Sequence, residues 1–222
     1  MARKIIVRAG ECVVLAAREG SNILEARTVL AMVTTKSVIL ETERLILRQF
    51  VPGDADALSR VLSDPETMRH YPVPFDRAAV DEWIRRNLRR YAANGHGLWA
   101  MDEKTTGEMI GDCGLTLQEV DGTSLPEIGY HLRRDRWGQG FATEAAVACR
   151  DYGFNKMSVD FLISLIRPEN LPSRRVAERN GMKVWKETTR NGLRHLVYRV
   201  TREEWEAALG STLERRAGKN DF

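Results

Sequence analysis

The run Glu127-Ile128-Gly129-Tyr130-His131-Leu132-Arg133-Arg134-Asp135-Arg136-Trp137-Gly138-Gln139-Gly140-Phe141-Ala142-Thr143-Glu144-Ala145-Ala146 changes period twice, and the rest of the chain is arranged about it. Ile128 to Leu132 is apolar and aromatic enough for a short strand. Gly138-Gln139-Gly140 breaks it. From Phe141 the period becomes helical, with Phe141, Ala145, Ala148, Cys149 and Tyr152 on one face. A strand, a glycine-spaced turn and a helix start make an anion site: the first-turn N–H groups are free, the helix dipole favours negative charge, and glycine lets a ligand approach the backbone. A tight turn that needs two glycines only for steric reasons accounts for the same residues.

Upstream, Glu41 to Arg48 reads as one opening strand, Pro52-Gly53-Asp54 as a turn, and Asp54 as the cap of a helix through Leu62. Asp64-Pro65 ends that helix, and the prolines at 72 and 74 keep Tyr71 to Pro74 extended. Asp76 caps a second helix whose stripe is Val80, Trp83, Ile84, Asn87, Leu88 and Tyr91; Arg85, Arg86, Arg89 and Arg90 cover its other side as a solvated face or an acidic-partner patch. Strands follow at Gly97–Met101 and Met109–Leu117, then a polar loop from Gln118 to Ser124. Val159–Ile166 is a strand buried on both faces. A helix between Asn170 and Gly181 has proline in its first turn and glycine past its end, and Asn191-Gly192 joins two last strands. Strands and helices in this order predict an α/β (α+β) domain with a mixed sheet and helices on both faces.

Two segments carry a resemblance. Trp137-Gly138-Gln139-Gly140-Phe141-Ala142-Thr143-Glu144-Ala145 resembles the acetyl-CoA pyrophosphate loop of GNAT N-acetyltransferases, most closely the ribosomal-protein N-terminal (RimJ/RimL-like) branch. Asn170-Leu171-Pro172-Ser173, with Arg175-Val176-Ala177-Glu178-Arg179-Asn180-Gly181-Met182, resembles that branch's Asn-x-x-Ser signature. The broad family has Gln or Arg where Trp137 stands. The resemblance spans roughly residues 38 to 209 and implies the GNAT fold, a mostly antiparallel central sheet splayed in its middle. The expected organisation is an N-terminal extension over 1–36, a GNAT acetyltransferase domain over 37–210 and a mobile polar tail over 211–222; Met32 begins a stretch resembling an ordinary start of such a chain.

The implied cosubstrate is acetyl-CoA, held by His131, Leu132, Arg133, Trp137, Gly138, Gln139, Gly140, Phe141, Ala142, Thr143, Asn170 and Ser173. Backbone N–H groups of the glycine loop take the diphosphate. Arg133, Arg134 and Arg136 attract the 3′-phosphate, one of them pairing with Asp135 instead. Asn170, also a good helix N-cap, contacts the pantetheine arm, and Ser173 lies near the thioester sulfur, where it can assist a thiolate with a pKa of about 8.5.

The implied reaction is direct acetyl transfer to an amine, which must first lose a proton. An α-amine, with a pKa of roughly 7.7–8.0, asks less of a base than a lysine at about 10.4. Glu127 is the candidate base, or else an edge carboxylate pairing with an arginine. N–H groups from Tyr130 to Leu132 are candidate oxyanion donors. Tyr130 is an alternative acid or a core residue, and His131 points to either side. The acceptor is a peptide N-terminal α-amine, with a small amine or aminoglycoside as the alternative. A non-enzymatic acyl-CoA-binding module is a third reading, and a ribosome-docking face on the basic helix a fourth.

A net charge of +3 over 222 residues suits an acidic ligand such as a CoA but is too weak and scattered to argue for nucleic acid, so no direct DNA binding is expected. Cys12, Cys113 and Cys149 are odd in number and widely spaced, which points to reduced thiols; His70, His96 and His195 show no ligand spacing, so no metal is expected. No apolar run approaches membrane-spanning length, and charges interrupt any signal-like core near the N-terminus, so a cytoplasmic protein is expected, with a homodimer through the last strand pair as a further option.

Overall fold

The computed structural model describes residues 36–217, so the expected extension lies almost wholly outside the described residues. Eight strands form one sheet in the order β1-β2-β3-β4-β5-β6-β8-β7. They are β1 (Val38–Glu41), β2 (Leu45–Arg48), β3 (Leu98–Glu103), β4 (Met109–Val120), β5 (Thr123–Leu132), β6 (Phe161–Ile166), β7 (Lys183–Arg190) and β8 (Leu193–Thr201). Every pairing is antiparallel except β5 with β6. Five helices are described: α1 (Ala55–Leu62), α2 (Arg77–Asn94), α3 (Phe141–Lys156), α4 (Leu171–Arg179) and α5 (Arg202–Ala217). The last runs beyond residue 210, where the tail was expected to begin.

Adjacent residues of a strand point to opposite faces, so contacts from β4 sort the helices. Trp83 of α2 donates to Asp112, whereas Cys149 of α3 meets Cys113, Sγ to Sγ at 3.5 Å. Helices α2 and α3 therefore cover opposite faces, as expected for this fold class. The main core joins both layers through Leu45, Leu47, Trp99, Met101, Ile110, Leu115, Phe141, Ala145 and Cys149, all buried. Cys113 and Cys149 are thus packed small side chains, and burial raises the Cys113 thiol pKa.

Three local expectations are corrected. The opening strand is a hairpin, β1 and β2, because Thr42 closes a turn: its N–H donates to the Leu45 carbonyl at 2.9 Å and its Oγ1 accepts from the Leu45 N–H at 3.0 Å. Side-chain-to-backbone bonding of this kind competes with strand propensity. Asp54 makes no side-chain cap to α1; its carboxylate accepts from the Val51 N–H and from buried Arg48, which Asp102 also holds at 2.6 Å. The polar loop of 118–124 is the end of a long hairpin that turns only at Asp121-Gly122, where both φ angles are positive (50° and 79°). Asp-Gly is a two-residue turn whose twist matches paired strands, so pairing continues to its edge.

Candidate active site

Strand β5 builds the site because its two edges differ. Its β4 edge pairs continuously from Thr123 to Leu132. Its β6 edge pairs at a single register, Glu127 with Ile163. Beyond it the strands diverge, bridged by the Ser164 hydroxyl, which donates to the Ile128 carbonyl at 2.8 Å. The Leu132 carbonyl accepts from Trp137 Nε1 at 2.8 Å on the same edge. Ile128 and Leu132 thus direct their backbone polar groups to the β6 side, and strand parity places the N–H of Tyr130 between them, facing the gap. The expected splay is present.

Downstream of β5 the chain meets the glycine turn. Gly138 (φ 74°) and Gly140 (φ 86°) are both left-handed, a conformation that costs an L side chain on the order of 1–2 kcal/mol. Gly140 is the residue before α3 and provides no side-chain cap, so the first-turn N–H groups remain directed outward. A second device fixes this turn. The Glu144 carboxylate accepts from Thr42 Oγ1 (2.5 Å), the Arg44 N–H (2.9 Å) and Arg44 Nε (2.7 Å), while Arg44 Nη1 donates to the Gln139 carbonyl at 2.9 Å. Burial works against the charge on Glu144, yet Thr42 and Arg44 hold its pKa below the usual range.

One cavity of about 740 Å³ joins the gap to the turn. It brings together Glu127, Tyr130, His131, Leu132, Trp137, Gly138, Gly140, Ala142, Thr143, Asn170 and Ser173, most of the residues expected at the site. Asn170 caps α4 by accepting from the Ser173 N–H at 3.2 Å, and the Tyr130 hydroxyl donates to the Ser173 carbonyl at 2.8 Å. Burial raises the Tyr130 pKa, so the phenol stays protonated.

Glu127 lies on the other face, by strand parity. Its Oε1 accepts from the Leu165 N–H at 3.1 Å and its Oε2 lies 3.4 Å from Thr116 Oγ1. Burial raises its pKa; Leu165, Gln118, Arg190 and Thr116 offset part of that rise. A carboxyl held above its ordinary range is better matched to a general base near neutral pH than an exposed one.

Four residues expected at the coenzyme have their side chains engaged elsewhere. Arg133 turns away: its guanidinium binds Asp135 (2.6 Å) and Glu108 (2.9 Å) in a separate cleft with Arg136, so two of the three basic residues are spent on carboxylates. Gln139 and Phe141 do not line the cavity; Gln139 is held by Arg44 and Asp135, and Phe141 is buried in the core beneath the Arg44 guanidinium, 4.3 Å from its ring centroid. His131 points to the α2 face, where its Nδ1 is 2.7 Å from Asp112 Oδ1 and its Nε2 is 2.7 Å from the Tyr71 hydroxyl. Burial opposes its protonation, but Tyr71 and Asp112 outweigh this and raise its pKa to about 10. Asp112, Tyr71 and the Arg44–Glu144 clasp carry no local signal, because each meets its partner only through a contact distant in sequence.

A family model described as the acetyltransferase (GNAT) domain matches residues 44–183. An uncharacterised Bacillus subtilis protein, YkkB, is 40% identical over 144 residues, 64% of this chain and 84% of its own length. An acetyltransferase from Agrobacterium tumefaciens superposes with a TM-score of 0.65 at 32% identity, covering 73% of this chain and 94% of the other. RimJ of Mycobacterium smegmatis, solved with CoA-disulfide, superposes at 0.56 with 28% identity over 72% of this chain and 83% of its own.

Proposed function

This chain belongs to the GNAT acetyltransferase family and is an N-acetyltransferase of that type, and we propose that the α-amine of a peptide N-terminus accepts the acetyl group it takes from acetyl-CoA. The observation that carries this reading is a single cavity with an uncapped helix start at one end and a half-buried carboxylate of raised pKa at the other. The loop and Asn-x-x-Ser resemblances to the ribosomal-protein branch and the likeness to RimJ support a peptide acceptor.

The site suits acetyl-CoA: outward N–H groups at the start of α3 match a diphosphate, and glycines at 138 and 140 keep side chains out of its path. When bound, acetyl-CoA supplies an activated thioester carbonyl. In this reading Glu127 takes a proton from the ammonium, directly or through water, and frees the nitrogen lone pair. The Tyr130 N–H faces the developing oxyanion across the gap, a role worth several kcal/mol where such a donor is fixed in place, about 3 to 4. In the same reading Asn170 and Ser173, which line the cavity, serve the pantetheine end, and the Ser173 hydroxyl hydrogen-bonds the departing sulfur.

Thiol release from acetyl-CoA against N-terminal peptides, lysine side chains and small amines tests the proposal. Peptide α-amines should be turned over at the highest kcat/KM. Release with small amines alone would move the function to small-molecule acetylation, and tight CoA binding without release would make the chain a binding module.

A further inference from the structure

The four arginines of α2 are not equivalent. Arg85 Nε and Arg89 Nη2 bind the same carboxylate, Glu82, at 3.0 and 2.5 Å on the exposed side of the helix. Arg86 and Arg90, one turn apart, instead line the cavity. Neither has a carboxylate within 4.0 Å among the described residues; Arg86 stacks over the Trp83 ring at 4.3 Å and Arg90 Nη1 lies 3.4 Å from Asn87 Oδ1. Arg190, at the end of β7, lines the same space and likewise makes no ion pair among the described residues. Three guanidinium groups from two elements thus line one cavity, where the Glu127 carboxylate acts on Arg90 and Arg190 and the Arg86 guanidinium faces that of Arg190. Like charges four apart on a helix cost a few tenths of a kcal/mol, on the order of 0.2–0.5, and a fold that pairs Arg85 and Arg89 with Glu82 leaves Arg86 and Arg90 without a carboxylate in contact.

These arginines stand apart from the diphosphate end. They sit with Glu127 on the α2 face of the sheet, whereas the glycine turn and α4 belong to the other. Glu127 and Leu132 are five residue steps apart along β5, about 17 Å at strand spacing. Burial lowers the pKa of both Arg86 and Arg90, with Glu82 and Glu127 respectively offsetting part of that fall, and arginine remains charged there. A cleft lined by one sign of charge concentrates ligands of the other sign.

We propose that Arg86, Arg90 and Arg190 select an acceptor amine that also carries a carboxylate, and that they disfavour polycationic amines. This rests on the acetyltransferase reading above. The carboxylate can belong to acidic side chains just after a peptide N-terminus or to a free amino acid, and the test separates the two.

The probes are peptides Ser-Asp-Asp-Ala-Ala-Ala, Ser-Asn-Asn-Ala-Ala-Ala and Ser-Lys-Lys-Ala-Ala-Ala, all amidated at the C-terminus, together with glutamate, glutamine amide (no free carboxylate) and an aminoglycoside. Steady-state KM is measured for each, and calorimetry measures binding of the N-acetylated peptides in the presence of CoA. The acidic member of one pair should show a KM at least tenfold below its amide, with lysine peptide and aminoglycoside poorest. The peptide pair or the glutamate pair showing that ratio identifies the source of the carboxylate. The double variant Arg86→Gln/Arg90→Gln should bring the ratio to within twofold of one while KM for acetyl-CoA changes less than twofold, and Arg86→Lys/Arg90→Lys should restore most of it. Equal KM and equal binding across charge classes overturns the proposal, as does a double variant that raises KM for acetyl-CoA as much as for the acceptor. Arginine-dependent binding of the acidic peptide without any turnover would instead sustain this inference and sink the acetyltransfer reading.

Discussion

The backbone N–H of Leu165 donates to Glu127 Oε1 at 3.1 Å, just past the single register at which β5 and β6 pair. A side chain therefore takes over where the strand ladder stops. The same carboxylate closes the paired part of the sheet and stands at the mouth of the gap, so its position is set by backbone rather than by a flexible surface contact. Removing its charge while keeping its shape should preserve that join. Glu127→Gln should lower kcat by about 10²-fold or more, the usual loss for a general base, with KM for acetyl-CoA unchanged. A base works deprotonated, and burial raises this pKa. The wild-type kcat/KM should then fall as pH drops through a value above the ordinary carboxylate range, and the variant should lack that acid limb. Initial rates between pH 5 and 9 decide it; a limb that survives in the variant removes Glu127 from the proton transfer.

Gly140 precedes α3 with φ at 86°, and an added Cβ there would meet Arg44 Nη2 at 3.4 Å. Gly140→Ala should cost about 1–2 kcal/mol of stability from the left-handed backbone alone. Gly140→Glu should in addition abolish CoA binding, because a carboxylate would stand where phosphate charge belongs. Calorimetry with CoA and urea melts separate the two effects; tight binding by the Glu variant would place the diphosphate elsewhere.

The Glu144 carboxylate ties the first turn of α3 to the β1–β2 turn through Thr42 and Arg44. Because Arg44 is partly exposed, the pair should count more for shape than for stability. Glu144→Gln should raise KM for acetyl-CoA severalfold by loosening the glycine turn, with kcat falling less. The pKa of Glu144 is depressed, so its contribution is present above its unfolded value and is lost as pH falls through the folded one. Acetyl-CoA affinity of the wild type should accordingly weaken at low pH toward that of the variant.

His131 and Asp112 form a buried pair at 2.7 Å with side-chain exposures of 9% and 0%. Asp112→Asn should destabilise the protein by about 3 kcal/mol at pH 7, since it leaves a buried imidazolium without its counter-charge. The His131 pKa is raised to about 10, so the pair contributes fully below the unfolded value near 6.5 and its contribution is lost as pH rises through 10. Urea melts at pH 7 and above pH 10 should show the gap between wild type and variant closing; a constant gap would mean that the pair is not ionic.

Local chemistry was enough to read much of this protein. The glycine turn, the helix after it, the Asp76 and Asn170 caps and the Asn191-Gly192 hairpin depend on residues within a few positions of one another, and each stands as read. The corrected parts depend on partners far along the chain. Position next to the glycine turn suggests a coenzyme contact for Arg133, but the residue follows β5 directly and its guanidinium meets Glu108 and Asp135. Likewise, counting back along the strands from Asp121-Gly122 pairs Asp112 with His131, a register that the polar composition of residues 118–124 hides. Spacing and capping are short-range and survive in a list of residues. Which edge of β5 stays unpaired, which face Glu127 takes, and which arginines lack a carboxylate follow from packing elements dozens of residues apart, and the folded chain alone decides them.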